Sequence, residues 1–156
     1  TASGRTQGRV AVFTTCYGNY NEPQLGADLA AVFLHNDVPV KVIDGEKCCG
    51  MPKFELGDLT AVKRLKEHNI PILLEAIEAG WDIIAPVPSC VLMFKQELPL
   101  MFPEDEDVQK VAAHLFDPFE YLMLRYKDGL LKTEFPTPLG KVTYHAACHQ
   151  RVQNIG

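Results

Sequence analysis

The stretch GEKCCGMP, residues 45–52, decides the fold and the chemistry expected of this chain. Its two adjacent cysteines, Cys48 and Cys49, stand in a polar turn that directly follows an apolar run at residues 38–44. Adjacent cysteines are poorly placed to bond each other, because an unstrained disulfide needs well-separated Cα atoms. They are well placed to offer two thiolates to one polynuclear metal site, and Gly50 lets the backbone turn away behind them.

Working outward from this turn, the other cysteines have the same relation to predicted strands. Short apolar runs rich in β-branched residues predict four strands, at residues 9–15, 38–44, 81–87 and 140–145. Each run is followed by a cysteine-bearing turn, and the cysteines concerned are Cys16, the pair Cys48 and Cys49, Cys90, and Cys148.

Helical periodicity between these runs predicts the intervening elements. We expect helices at residues 22–35, at 59–79 with Asp58 as its cap and Pro71 kinking or splitting it, at 91–98, and at 108–127 with a bend near Pro118. The alternating order predicts an α/β fold, a parallel four-stranded sheet with helices on both faces. The carboxyl ends of parallel strands share one edge, so all five cysteines are predicted to cluster there.

Length and charge limit the classes of protein that fit. The 156 residues suit one domain, at residues 9–156, preceded by a polar linker at residues 1–8. The net charge of −5 and the lack of a basic cluster argue against a nucleic-acid partner. No apolar run approaches the roughly 20 residues of a membrane-spanning helix, and no secretory signal opens the sequence. We therefore expect a cytoplasmic protein, and the turn of Cys148 close to the last residue indicates a fragment of a longer chain.

The cysteine spacing favours a metal site that a whole fold assembles. Thirty-one residues separate Cys16 from Cys48, and forty separate Cys49 from Cys90, whereas structural zinc sites commonly use close C-x₂-C pairs. In a reducing compartment, cysteines of this kind are metal ligands or reactive thiols more often than disulfides. Four thiolates commonly hold an iron–sulfur cluster. A structural zinc site, a redox-active vicinal pair beside Lys47, and buried cysteines acting as small hydrophobes remain open alternatives.

The same residues resemble a known family, the CCG or cysteine-rich domain. Its pattern is a cysteine, about thirty residues, Cys-Cys-Gly, a few dozen residues, and a closing C-x-x-C. The domain is found in the B subunit of heterodisulfide reductase and in the iron–sulfur subunits of glycolate oxidase, lactate utilisation and anaerobic glycerol-3-phosphate dehydrogenase. The stretches PVPSCVLM, residues 86–93, and YHAACH, residues 144–149, are similar to the group formed by the C subunits of anaerobic glycerol-3-phosphate dehydrogenase.

The resemblance implies a ligand set and one departure from the family pattern. It implies that a [4Fe–4S] cluster is held by Cys16, the central pair Cys48 and Cys49, and Cys90, with zinc as a possible substitute. Cys148, flanked by His145 and His149, resembles the opening cysteine of a second CCG motif and is a further candidate metal ligand. The first cysteine of the closing C-x-x-C is replaced by Val87, which puts a five-cysteine noncubane cluster in doubt.

The resemblance also implies a function. An electron-transfer module would take electrons from a flavin-dependent dehydrogenase subunit and pass them towards quinone or another acceptor, with peripheral association at the inner face of the cell membrane through those partners. The first alternative is a catalytic disulfide or heterodisulfide reductase site, for which a substrate-sized cleft beside Cys48 and Cys49 would argue. The second is a zinc-binding structural domain without a redox role.

Overall fold

The computed structural model describes residues 4–155, and its centre is a parallel sheet. The strands are β1 (Val10–Val12), β2 (Val40–Val42), β3 (Asp82–Ile84) and β4 (Leu115–Phe116), in the spatial order β2-β1-β3-β4. Val10 is in register with Val40 on one side and Asp82 on the other, and Ile83 pairs with Leu115. The α/β class and the four-stranded parallel sheet expected from the sequence are confirmed.

Helices connect the strands and cover the sheet. The described residues contain α1 (Thr15–Tyr20), α2 (Pro23–His35), α3 (Met51–Glu55), α4 (Leu59–Glu78), α5 (Pro88–Leu92), a π-helical stretch (Met93–Glu97), α6 (Leu98–Met101), α7 (Glu106–His114), α8 (Pro118–Lys127) and α9 (Cys148–Val152). Within residues 4–155, none of these helices is long and apolar enough to cross a membrane.

Side chains alternate between two cores, one on each face of the sheet. In β3, Ile83 joins the core that α4 and α7 cover, whereas Ile84 joins the core that α2 and α8 cover. The pair Leu115 and Phe116 in β4 divides in the same way. Because successive residues of a strand point to opposite faces, strands of two or three apolar residues suffice to serve both cores.

The fourth strand is not where the sequence analysis placed it. Residues 140–145 form no strand, and Val142 there is 74% exposed. The actual strand, β4, interrupts the helix predicted at residues 108–127 and divides it into α7 and α8. The cause is local: the carboxylate of Asp117 caps α8 by accepting from the Phe119 amide at 2.8 Å, and Pro118 occupies the first helical turn. Pro118 also disfavours helical backbone geometry at the residue before it, and Asp117 is extended, which separates α8 from α7.

Two predicted helices differ from the expectation in detail. Asp58 caps α4 as predicted, accepting from the Ala61 amide at 3.0 Å, but the helix continues through Pro71 without dividing. The helix predicted at residues 91–98 begins earlier, with Pro88, and becomes π-helical over Met93–Glu97. Cys90 therefore lies inside α5 rather than in a turn before a helix. Cys16 also lies inside a helix, α1, where the sequence predicts a turn.

Candidate metal centre

Four of the five cysteines follow neighbouring strands at the carboxyl edge of the sheet. From β1 the chain adds β2 on one side and then β3 on the other, so the order of the strands switches between β1 and β3. Open α/β sheets bind ligands at such switch points. Cys16 comes just beyond β1 and Cys90 just beyond β3, on the two sides of this point. Cys48 and Cys49 follow β2, the next strand outward.

The thiols of these residues form a continuous row. The Sγ atoms of Cys16 and Cys48 lie 4.0 Å apart. The Cys48 thiol interacts with that of Cys49, and the Cys49 thiol interacts in turn with that of Cys90. The row runs inward, because Cys16 is exposed whereas Cys49 and Cys90 are each only 4% exposed. Residues separated by up to 74 positions in sequence are thus brought together.

The environment of the row raises thiol pKa values. Burial raises the pKa of Cys16, and the neighbouring Cys48 adds to the effect. The hydrogen bond with Cys49, together with burial, raises the pKa of Cys48. The interaction with Cys48 lowers the pKa of Cys49, but the contacts with Cys90 and burial outweigh it, so this pKa is also raised. The metal-free thiols of Cys16, Cys48 and Cys49 are therefore protonated at neutral pH, and metal binding there must release their protons. A redox-active vicinal pair needs a lowered pKa instead.

Backbone amides of the same turns donate hydrogen bonds to the sulfurs. The pairs are Tyr17 to Cys16, Gly50 to Cys48, and Met51 to Cys49. Such bonds favour the thiolate over the thiol, and they are one of the means by which proteins tune the potential of a thiolate-bound cluster. The donor set therefore fits a group that needs several thiolates in a partly buried, hydrogen-bonded setting.

The row does not converge on a single point. Among residues 4–155, no group of three or more His, Cys, Asp or Glu side chains is arranged to hold one metal ion. Zinc requires its sulfurs at about 2.3 Å from one atom. In a [4Fe–4S] cluster each thiolate binds a different iron, so the four sulfurs need not meet at one point. The arrangement gives the zinc alternative no support.

The sequence analysis missed the side chains that hold these turns. Asn69 of α4 is 1% exposed; its Oδ1 accepts from the Lys47 amide at 2.8 Å, and its Nδ2 donates to the carbonyls of Lys47 and Cys48. Glu46 reaches the turn that precedes Cys16. The signal for Asn69 was a polar residue on the apolar face of a long helix, and for Glu46 a carboxylate two positions before the cysteine pair.

Cys148 stands apart from the other four cysteines in its local structure. The expectation that it follows a strand is wrong, because residues 140–145 are not a strand; Cys148 instead begins α9 and is exposed. The adjoining His149 places α9 beside α5, since its Nδ1 lies 2.9 Å from the Ser89 hydroxyl next to Cys90. The assignment of Cys148 as a metal ligand or as the first cysteine of a second CCG motif stays a prediction.

A parallel α/β sheet with cysteines gathered at its carboxyl edge defines a cysteine-rich class of domain, and comparison with known proteins gives the family. A family model described as a cysteine-rich domain, CCG, matches residues 10–95, more than half of the chain. The chain belongs to the CCG cysteine-rich domain family. This confirms the resemblance found in the sequence.

Similar proteins occur in bacteria and archaea. The chain is 31% identical over 142 residues to the C subunit of anaerobic glycerol-3-phosphate dehydrogenase of Escherichia coli K12, covering 90% of this chain and 35% of that protein. It is 31% identical over 141 residues to the B subunit of fumarate reductase (CoM/CoB) of Methanothermobacter marburgensis, covering 90% and 26%. Identity to lactate utilization protein A of Bacillus thuringiensis is 27% over 146 residues, covering 90% and 57%. The chain thus spans about a quarter to somewhat over half of these relatives, and no solved structure matches it.

Proposed function

We propose that this chain is the iron–sulfur module of an electron-transferring subunit. Cys16, Cys48, Cys49 and Cys90 would hold a [4Fe–4S] cluster, which when bound supplies one-electron chemistry. The observation that carries the proposal is the row of four thiols at the switch point of the sheet. Support also comes from the names of two similar proteins, which are subunits of a dehydrogenase and of a reductase.

The residues of the chain have distinct tasks in this proposal. The buried Cys49 and Cys90 fix the inner side of the site and belong to the same apolar core as Phe13 and Phe94, whose rings pack edge to face at 5.2 Å. The exposed Cys16 faces solvent, so electron exchange with a partner occurs on that side. We propose a flavin-dependent dehydrogenase subunit as donor and quinone or another acceptor, in the cytoplasm and peripheral to the membrane through these partners.

A catalytic disulfide reductase is less well supported by the geometry. Such a site calls for a substrate-sized cleft beside Cys48 and Cys49. A cavity of about 590 Å³ does exist in the described part of the chain, but it is lined by α8 and by residues such as Tyr144 and Ile155. None of the cysteines lines this cavity.

Anaerobic metal analysis tests the proposal. We expect about four iron and four sulfide per chain, with a cluster absorption spectrum, after purification or reconstitution without oxygen. Cys49→Ser and Cys90→Ser should lose this iron, because each removes a thiol of the row. Cys148→Ser is the matched control and should retain this iron, because the proposed ligand set does not include Cys148. An iron-free wild-type chain after reconstitution, or equal loss in all three variants, would contradict the ligand assignment.

A further inference from the structure

The backbone is strained at the residue before the first cysteine. Thr15 has φ of +70°, a left-handed conformation that β-branched residues rarely adopt, and its side chain is only 1% exposed. The strain is placed at the start of α1, one residue before Cys16. Strain of this kind persists only where the surrounding structure imposes it, and it is concentrated at functional sites.

The carboxylate of Glu46 is the group that holds this turn. Its Oε1 accepts from the Thr15 amide at 3.0 Å and from the Thr14 hydroxyl at 2.5 Å, and its Oε2 accepts from the Thr14 amide at 3.1 Å. Hydrogen bonds to an ionised acceptor are about twice as strong as those between neutral groups. The Thr15 hydroxyl completes the turn by accepting from the Gly18 amide at 3.1 Å.

Glu46 also belongs to the second cysteine turn. It stands two residues before Cys48, and Thr15 stands one residue before Cys16. One carboxylate therefore joins the two turns whose sulfurs lie 4.0 Å apart. We propose that Glu46 is a positioning residue, which sets the Cys16 thiol against the Cys48 thiol by holding Thr15 in its strained conformation. The placement of the thiols is a property of the metal-free chain; only its purpose, cluster binding, rests on the proposed function.

The carboxylate is specifically required in this arrangement. A glutamine at position 46 would keep one acceptor oxygen, but its NH₂ group would face the Thr14 amide in place of Oε2. Two donors would then oppose each other in a partly buried site, and the turn would relax away from Glu46. The distance between the two sulfurs would increase as a consequence.

Cross-linking of the reduced, metal-free chain tests the proposal. Dibromobimane joins two thiols that lie close together, and peptide mapping distinguishes a bridge between Cys16 and Cys48 from one within the pair Cys48 and Cys49. We expect Glu46→Gln to reduce the Cys16–Cys48 bridge about tenfold, the loss that a charge-assisted hydrogen bond implies. Glu55→Gln is the matched control, because Glu55 is exposed on α3. Wild-type levels of this bridge in Glu46→Gln, or an equal loss in the control, would overturn the proposal.

Removing the strain should rescue the variant. Glycine adopts positive φ without a steric penalty, so Glu46→Gln combined with Thr15→Gly should recover the Cys16–Cys48 bridge. This double variant also carries the test if Glu46→Gln alone does not fold. A double variant that stays unfolded, or that folds without recovering the bridge, would mean that Glu46 does more than hold Thr15, and would overturn the proposal.

A spectroscopic measurement connects the positioning to the cluster. In the iron-loaded chain, we expect Glu46→Gln to change the electron paramagnetic resonance spectrum of the reduced cluster, because one ligand is displaced, whereas Glu55→Gln leaves it unchanged. Identical spectra in both variants would count against the proposal. A wild-type chain that takes up no iron refutes the proposed function, whereas the cross-linking result still decides the role of Glu46.

Discussion

Asn69 is the side chain on which the Cys48 turn depends most directly. Its amide makes hydrogen bonds of 2.8, 3.2 and 3.0 Å to the backbone of Lys47 and Cys48, and the residue is 1% exposed. We predict that Asn69→Ala destabilises the metal-free chain. Three hydrogen bonds at about 1 kcal/mol each give an expected loss of about 2–3 kcal/mol, part of which water can restore where the turn meets solvent.

The second substitution at this position separates geometry from polarity. Asn69→Asp retains the acceptor for the Lys47 amide but places a carboxylate oxygen opposite two carbonyl oxygens. We expect it to cost at least as much as Asn69→Ala, because the donor is replaced by a repulsive acceptor. Asn21→Ala is the control, since Asn21 is exposed beyond α1 and its substitution should change the free energy of unfolding by less than about 0.5 kcal/mol.

Urea unfolding of the three variants measures the effect. With an m-value of about 2 kcal/mol/M, the expected loss for Asn69→Ala lowers the urea midpoint by about 1–1.5 M. Iron retention against a chelator should fall in parallel, because the turn carrying Cys48 is less constrained. Equal urea midpoints for Asn69→Ala and Asn21→Ala, or wild-type stability of Asn69→Asp, would refute this role of Asn69.

Three further substitutions test the backbone at two glycines and the charge of a buried carboxyl group. Gly50→Ala should lower the free energy of unfolding by about 1–2 kcal/mol because Gly50 has a φ of +99°; the added Cβ would meet Leu65 and Met93 at an ordinary 3.7 Å and would not clash. Gly26→Ala in α2, where the added Cβ has open space, should raise the free energy of unfolding by up to about 1 kcal/mol in the same urea assay. Equal effects of the two substitutions would contradict this prediction. Burial raises the pKa of Asp82 above 3.8, so the native state holds this proton more tightly than the unfolded chain does. The free energy of unfolding therefore falls as the pH rises from 3.8 through the raised pKa. Asp82→Asn should flatten this pH dependence in unfolding curves recorded between about pH 4 and 7, and an unchanged pH dependence would refute the prediction.

Most of the fold could be predicted from the sequence because its strands carry strong local signals. The β-branched runs before Cys16, Cys48 and Cys90 each contain an observed strand. The fourth strand has only two residues, too few for periodicity to show, and GKVTYH at residues 140–145 imitates a strand without pairing with the sheet. The Asp117-Pro118 pair was the missed signal, because it marks a helix start rather than a bend.

The candidate site divides in the same way between local and long-range information. The positions of the cysteines after predicted strands predict a cluster of all five, of which four form the row. The contacts of Glu46 with Thr15 and of Asn69 with Lys47 span 31 and 22 positions of sequence, so they depend on the register of the assembled sheet. A local capping residue such as Asp58 can be recognised from the sequence, whereas the distant backbone partners of Glu46 and Asn69 are defined only by the assembled fold.

The position of Val87 shows how the four-thiol set can be sufficient. Val87 stands where the family pattern has the first cysteine of the closing C-x-x-C, and its side chain packs against the core covered by α4 and α7. Its backbone carbonyl accepts from the Cys90 amide at 2.9 Å and so fixes the first turn of α5. Residue 87 therefore positions Cys90 through a backbone hydrogen bond, which does not depend on the side chain of residue 87. The placement of Cys90 against Cys49 therefore needs no thiol at position 87, which is consistent with the proposed set of four cysteine ligands.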